Sequence, residues 1–154
     1  MKERKHTRRI IFHHSLSTIG DVHSIRQWHI IDNGWEDIGY HYVIKTDGTI
    51  QPGRGLMYIG AHAAGRNADS VGVCLIGNFH ISEPTVYQLN AVTSIVHDLS
   101  HMIIYGWNHP LKLEFHRPHI CNIFEPLAYG MINACPGKLL DRPDFLEIVK
   151  RGNM

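Results

Sequence analysis

Apolar and polar positions along the chain follow two periods, one typical of strands and one typical of helices. Three short stretches, residues 9–15, 70–77 and 111–115, are mostly apolar, as expected of buried strands. Two longer stretches, residues 21–33 and 82–104, repeat apolar positions every three or four residues, and a further helix is predicted over 142–150. Strands that alternate with amphipathic helices predict an α/β fold with helices packed on a central sheet.

Residues 37–50 predict a β-hairpin. Alternating positions flank Asp47-Gly48, and an Asp-Gly pair between two such runs is a strong hairpin signal. The first strand carries Tyr40 and His41 on opposite faces of the pleat. From this stretch alone, Tyr40 is either a cross-strand aromatic in an ordinary sheet or a phenol that points into a cleft.

The first helix is predicted to begin after a capping Asp21 and to end near residue 33. Its apolar positions Val22, Ile25, Trp28 and Ile31 recur every three residues and predict the buried stripe. Trp28 is therefore expected in the core.

Composition is that of one globular domain spanning residues 1–154, with 44% hydrophobic and 19% charged residues. A net charge of +1 argues against nucleic acid or a membrane surface as a partner chosen by bulk charge. No apolar run reaches the roughly 20 residues of a membrane span, and no secretory signal is seen at the start. We expect a monomer that is cytoplasmic as synthesised, with a flexible stretch over residues 1–8.

Histidines and cysteines are the chemically unusual part of the composition, at 13 and three residues. Three cysteines at irregular spacing do not form a disulfide framework, and Cys74 lies in a buried strand as a small hydrophobe. A catalytic zinc ion needs three N or S ligands and an open position for water. The candidate donors stand at the ends of predicted elements: His13 or His14, His62, His116, His119, Cys121 and Cys135. No local motif places two ligands together, so such a site must be assembled from distant segments.

Seven short blocks, taken in order, resemble the zinc-dependent N-acetylmuramoyl-L-alanine amidases, a group that includes amidase-type phage lysozymes and the peptidoglycan recognition proteins. The resemblance covers nearly the whole chain from about residue 9. The blocks are Ile11-Phe12-His13-His14-Ser15, Arg26-Gln27-Trp28-His29, Gly34-Trp35 with Asp37-Ile38-Gly39-Tyr40-His41-Tyr42, Gly60-Ala61-His62-Ala63 with Asn67, Ser70-Val71-Gly72-Val73-Cys74, His116-Arg117, and Cys135-Pro136-Gly137. The family fold is a central mixed β-sheet flanked by α-helices.

The resemblance implies a zinc ion held by His13, His116 and Cys135, with water as the fourth ligand. Tyr40 falls on the family's catalytic tyrosine, and Asn133 stands where the family often has a lysine or threonine that assists the transition state. Asn133 is a neutral donor at a position where the family often has a charged one. The loss of that charge is expected to lower turnover roughly 10²-fold.

The same resemblance implies that the substrate is peptidoglycan or a muropeptide, contacted by residues around the groove. Trp35, Asn67 and His14 are expected among these substrate-binding residues. His62 falls in the groove-lining loop, where it either contacts the glycopeptide or caps the loop.

The spacing of the last two ligands departs from the simple family pattern. His116 and Cys135 lie nineteen positions apart, so residues 117–134 are interpreted as an inserted loop. This loop contains His119 and Cys121, either of which is competent to replace a ligand.

The implied activity is zinc-dependent hydrolysis of the amide between N-acetylmuramic acid and L-alanine, by a protein released to act on the cell wall. Two alternatives remain. One is a peptidoglycan-binding module that retains zinc but hardly turns over, which Asn133 favours. The other is a structural zinc domain with a fourth protein ligand such as Cys121.

Overall fold

The computed structural model describes residues 1–102 and 111–116, together with Phe145, Glu147 and Val149 of a helical segment near the end of the chain. No helix in these parts is long and apolar enough to cross a membrane. The elements are, in order, β1 (Arg9–His14), α1 (Val22–Ile31), β2 (Tyr42–Ile44), β3 (Ile50–Pro52), a 3-10 turn (Asn67–Asp69), β4 (Ser70–Leu75), α2 (Val86–His101) and β5 (Lys112–Phe115).

The five strands form one mixed sheet in the order β3-β2-β4-β1-β5. Strands β2, β4, β1 and β5 run parallel, and β3 pairs antiparallel with β2. The register places Phe12 opposite Phe115 in one neighbour of β1, and His13 opposite Cys74 in the other. The predicted fold, a central mixed sheet with helices, is confirmed.

The predicted hairpin is present but its first strand is shorter than expected. Strand β2 pairs with β3 from Tyr42 opposite Pro52 to Ile44 opposite Ile50. Tyr40 and His41 precede β2, and the backbone N–H of His41 donates to the carbonyl of Gly72 at 2.9 Å. The backbone of this segment is therefore held by individual hydrogen bonds outside the regular strand pairing.

Each face of the sheet has its own apolar cluster. On one face, Phe12 and the odd-numbered residues of β4 pack against α2. On the other face, Cys74 and Val43 pack with Tyr40 against α1. Because side chains alternate along a strand, consecutive residues of β1 belong to different faces.

Helix α1 begins as predicted, since the Asp21 side chain accepts from the backbone N–H of Ser24. Its buried positions are Val22, Ile25 and His29. The prediction that Trp28 is a core residue is wrong, because its side chain is 44% exposed. Positions three residues apart drift by about 60° per step around a helix, so the inward stripe must shift to a spacing of four after Ile25.

Residues 1–8, for which the sequence predicts a flexible stretch, contact a distant part of the chain in the structure. The backbone N–H of Arg4 donates to the carbonyl of Met57 at 2.6 Å, and that of Ile59 donates to Lys2 at 2.8 Å. Glu3 also forms a β-bridge with Tyr58. Polar composition alone could not show that this segment pairs with a distant part of the chain.

Gln88 joins helix α2 to the sheet. Its side-chain carbonyl accepts from the N–H of the capping residue Thr85, and its amide donates to the carbonyls of Ile76 at 2.8 Å and Ile44 at 3.4 Å. The side chain is buried and gives the carbonyl of Ile76 a donor, whereas the carbonyl of Ile44 also accepts from the backbone N–H of Ile76 at 2.8 Å.

We therefore expect Gln88→Ala to lower the free energy of unfolding by about 1–3 kcal/mol, because it removes the side-chain donor to the carbonyl of Ile76 and the acceptor for the N–H of Thr85. Urea denaturation measures the change. Gln27→Ala on the exposed side of α1 is the matched control and should change it by less than about 0.5 kcal/mol. Equal effects of the two substitutions would contradict this role of Gln88.

Candidate active site

Two histidines meet at the carboxyl ends of neighbouring parallel strands. His13 is the fifth residue of β1, and His116 directly follows β5. The backbone N–H of His116 donates to the carbonyl of Phe12 at 3.1 Å, which sets the two histidines side by side. Their ring centroids lie 4.6 Å apart, and both side chains are buried. The structure thus brings together two residues that are 103 positions apart.

His14 lies on the opposite face of the sheet from His13. Its Nδ1 accepts from the backbone N–H of Phe79 at 3.1 Å, and its ring contacts those of Phe79 and His80. The side chain is buried. Because His14 is enclosed away from the His13 cluster, the expectation that it binds substrate is corrected: it anchors the loop after β4.

Tyr40 enters the same cluster from the segment before β2. Its ring centroid lies 5.0 Å from that of His13 and 5.6 Å from that of His29. The phenol also hydrogen-bonds with the thiol of Cys74, whose pKa is raised by burial and drawn slightly back by this bond. Tyr40 is 7% exposed, so it lies at the base of the cluster, against α1.

His62 contacts protein atoms through both ring nitrogens. Its Nδ1 lies 3.0 Å from Nε2 of His13, and its Nε2 lies 3.3 Å from Oγ of Ser70. Oγ of Ser70 in turn donates to the carbonyl of Arg66 at 2.6 Å. His62 is 5% exposed. This placement does not fit the expected direct contact with substrate, because neither ring nitrogen faces solvent.

Asn67 holds the loop that carries His62. Its side-chain oxygen accepts from the backbone N–H groups of His62 and Ala63, at 2.9 and 2.8 Å. This contact caps the loop, so the side-chain oxygen of Asn67, an expected substrate-binding residue, is held by protein N–H groups. Trp35, in contrast, is half-buried, and its ring lies 4.7 Å from that of His29. Trp35 is thus an expected substrate-binding residue whose ring is partly accessible.

Burial keeps the central imidazoles neutral. The pKa of His13 is held well below its usual value, first by burial and then by the neighbouring charges of His62 and His116 when protonated. Burial likewise lowers the pKa of His62. A neutral imidazole carries a lone pair on one ring nitrogen, which is the form that binds transition metals.

The remaining predicted site residues lie outside the described part of the chain. These are Asn133 and Cys135, the alternative donors His119 and Cys121, and the whole 117–134 loop. Within residues 1–102 and 111–116, no group of three or more His, Cys, Asp or Glu side chains is arranged to hold a metal. A three-ligand site built on His13 and His116 therefore needs its third ligand from beyond these ranges.

Sequence reasoning missed two members of the cluster. The sequence pattern shows Ser70 only as the first residue of a strand. It shows His29 only as part of one of the blocks that resemble the family. His29 is buried and its Nδ1 accepts from the N–H of Gly39 at 2.9 Å. Its helical position four residues after the buried Ile25 is a signal that could have placed it inward.

Comparison with known proteins gives a family match over most of the chain. A family model described as N-acetylmuramoyl-L-alanine amidase matches residues 3–137. The endolysin of Escherichia phage T7 is 48% identical over 80 residues, which cover 49% of this chain and 52% of that protein. The chain thus spans about half the length of the curated relatives it matches.

Solved structures of similar fold span nearly the whole chain. The N-acetylmuramoyl-L-alanine amidase LysC from Clostridium intestinale matches with a TM-score of 0.73 and 28% identity, over 96% of this chain and 86% of that one. A mutant of Drosophila PGRP-LB in complex with tracheal cytotoxin matches with a TM-score of 0.72 and 27% identity, over 96% and 83%.

The buried histidines also predict how stability depends on pH. Burial lowers the pKa of His29 to about 4 and that of His41 to about 3. As pH falls below about 6.5, the unfolded chain binds protons that the folded chain does not, so stability is lost between about pH 6.5 and 4. Each such histidine adds about 1.4 kcal/mol per pH unit to the slope of the unfolding free energy against pH.

His41→Asn keeps an acceptor for the N–H of Gly72, which donates to Nδ1 of His41 at 2.9 Å. We expect this substitution to reduce the slope of unfolding free energy against pH by the contribution of one histidine, about 1.4 kcal/mol per pH unit. Urea denaturation of the metal-free protein measures the slope. Parallel curves for the variant and the wild type would contradict a neutral, buried His41.

Proposed function

The chain belongs to the N-acetylmuramoyl-L-alanine amidase family, and from this premise we propose that it hydrolyses the amide between N-acetylmuramic acid and L-alanine in peptidoglycan. The observation that carries the proposal is the buried cluster of His13 and His116 with Tyr40 beside them. These residues coincide with the family's expected ligands and catalytic tyrosine. We propose that residues 1–154 act as one catalytic domain, as a monomer released to reach the cell wall.

We propose that the activity depends on a zinc ion held by His13, His116 and Cys135. The donor set fits zinc, because the ring centroids of His13 and His116 lie 4.6 Å apart and a cysteine is a residue type that binds zinc as the thiolate. When bound, zinc lowers the pKa of water and polarises a carbonyl. The remaining chemistry falls to the side chains around it.

Tyr40 is the proposed donor to the oxygen on which negative charge develops. Its ring centroid lies 5.0 Å from that of His13, one of the proposed ligands, and its side chain is buried. A donor fixed by packing before the reaction needs no reorganisation when charge appears. Asn133 is proposed as a second, neutral donor, and Trp35 as a half-exposed wall for the glycopeptide.

A second candidate is a peptidoglycan-binding module with little turnover. It is favoured by the neutral Asn133 and by the similarity to a protein solved with tracheal cytotoxin. Purified sacculi distinguish the two functions, because an amidase releases peptides with a free N-terminal L-alanine and a binder only sediments with the wall.

The zinc site is tested with pairs of residues of the same type, one a proposed ligand and one a control. We expect one zinc per chain in the wild type by metal analysis, and loss of zinc in His13→Ala and Cys135→Ser. The controls are His14→Ala, whose side chain lies on the other face of the sheet, and Cys74→Ser in the core.

Both controls should keep stoichiometric zinc if they fold. Retained zinc in Cys135→Ser would contradict the proposed ligand set and point to Cys121.

Tyr40→Phe tests the catalytic donor. Removal of the hydroxyl should leave fold and zinc content unchanged while turnover falls about 10²-fold or more. Tyr42→Phe is the control, because Tyr42 packs against the α2 side of the sheet. Unchanged turnover in Tyr40→Phe would make Tyr40 a packing residue.

A further inference from the structure

We propose that Ser70 and His62 are positioning residues that fix the tautomer of His13, so that its Nδ1 carries the lone pair offered to the metal. The connected groups are the carbonyl of Arg66, the hydroxyl of Ser70 and the rings of His62 and His13. The role of this tautomer in metal binding rests on the proposed zinc site. The tautomer itself is a property of the metal-free protein.

The direction of the hydrogen bonds is set at the Ser70 end. Oγ of Ser70 lies 2.6 Å from the carbonyl oxygen of Arg66, which is only an acceptor, so the hydroxyl hydrogen is used there. The hydroxyl then has only lone pairs to offer to Nε2 of His62 at 3.3 Å. His62 must therefore carry its hydrogen on Nε2.

The same donor and acceptor argument applies to the hydrogen bond between His62 and His13. A neutral His62 with its hydrogen on Nε2 has an acceptor at Nδ1. Nε2 of His13 lies 3.0 Å from that atom, so it must be the donor. His13 consequently carries its hydrogen on Nε2 and its lone pair on Nδ1. A second polar group on the far nitrogen commonly fixes a metal-binding histidine in this way.

The backbone is shaped around the ring of His62. A Cβ placed on Gly72 would lie 2.5 Å from Cδ2 and Cγ of that ring, and one placed on Gly60 would lie 2.6 Å from Cδ2. The two glycines thus let the backbone close on the imidazole from β4 and from its own loop. Asn67 fixes the backbone N–H of His62 as well. These contacts hold the ring in one orientation, as a positioning role requires.

Loss of the hydroxyl would free His62 to take either tautomer, and His13 would follow. The fraction of His13 with a lone pair on Nδ1 would then fall, and metal affinity would fall with it. Removal of such an outer partner typically costs 10–100-fold in metal affinity. We expect a loss of about 10-fold for Ser70→Ala and up to about 100-fold for His62→Ala.

The first measurement is the tautomer in the metal-free protein, by long-range ¹H–¹⁵N correlation NMR of the imidazoles. The wild type should show His13 and His62 with hydrogen on Nε2 only. Ser70→Ala should give a mixture of tautomers at both rings. A wild-type His13 with its hydrogen on Nδ1 overturns the inference whether or not the protein binds zinc or has amidase activity.

The second measurement is zinc affinity by competition with a chelator. The matched control is Ser100→Ala, since Oγ of Ser100 also donates to the carbonyl four residues before it, that of Val96 at 2.7 Å, with no histidine partner. Ser100→Ala should bind zinc as the wild type does. His62→Asn should recover part of the affinity lost in His62→Ala, because an amide oxygen can accept from Nε2 of His13.

The outcomes separate this inference from the proposed function. Wild-type zinc affinity in both Ser70→Ala and His62→Ala would overturn the inference and leave the zinc amidase intact. A wild type that binds no zinc would overturn the proposed function, while the NMR spectra would still decide the tautomer. Should His62→Ala fail to fold, Ser70→Ala alone decides, because it removes one oxygen atom.

Discussion

The parallel pairing of β1 with β5 is the constraint on which the site depends. The bond from the N–H of His116 to the carbonyl of Phe12 ends this pairing and fixes how the two chain segments are aligned. A shift of one residue in β5 would turn His116 to the α2 face and break the contact between the imidazoles. The two histidines proposed as metal ligands therefore meet only when the sheet has this register.

Much of the fold could be predicted because local patterns agree with it. The hairpin at Asp47-Gly48, the cap at Asp21 and the apolar run of β4 all depend on neighbouring residues. Strand order could not be predicted, because parallel strands pair over long sequence separations. The inward position of His29 was missed because the three-residue spacing from Val22 to Ile25 was extended to Trp28. The buried stripe instead continues four residues after Ile25, at His29.

The candidate site was predictable only in part, and for a physical reason. Alternation along β1 allows one of His13 and His14 to enter a site, but the pattern does not say which, and the choice came from family resemblance. The support given by Ser70 to His62 joins side chains whose meeting depends on loop geometry. Periodicity carries no information on such contacts. The shared blocks contained these residues without revealing that they touch.

The separation of the two sheet faces has an evolutionary consequence. The larger apolar cluster, with Phe12 and α2, lies on one face, and the histidine cluster lies on the other. A substitution at His116 can remove a proposed metal ligand without touching the packing that holds α2. Within a gene family, a duplicated copy can therefore lose catalytic activity while it keeps the fold. Enzymes and receptors can then diverge from one scaffold in few mutational steps.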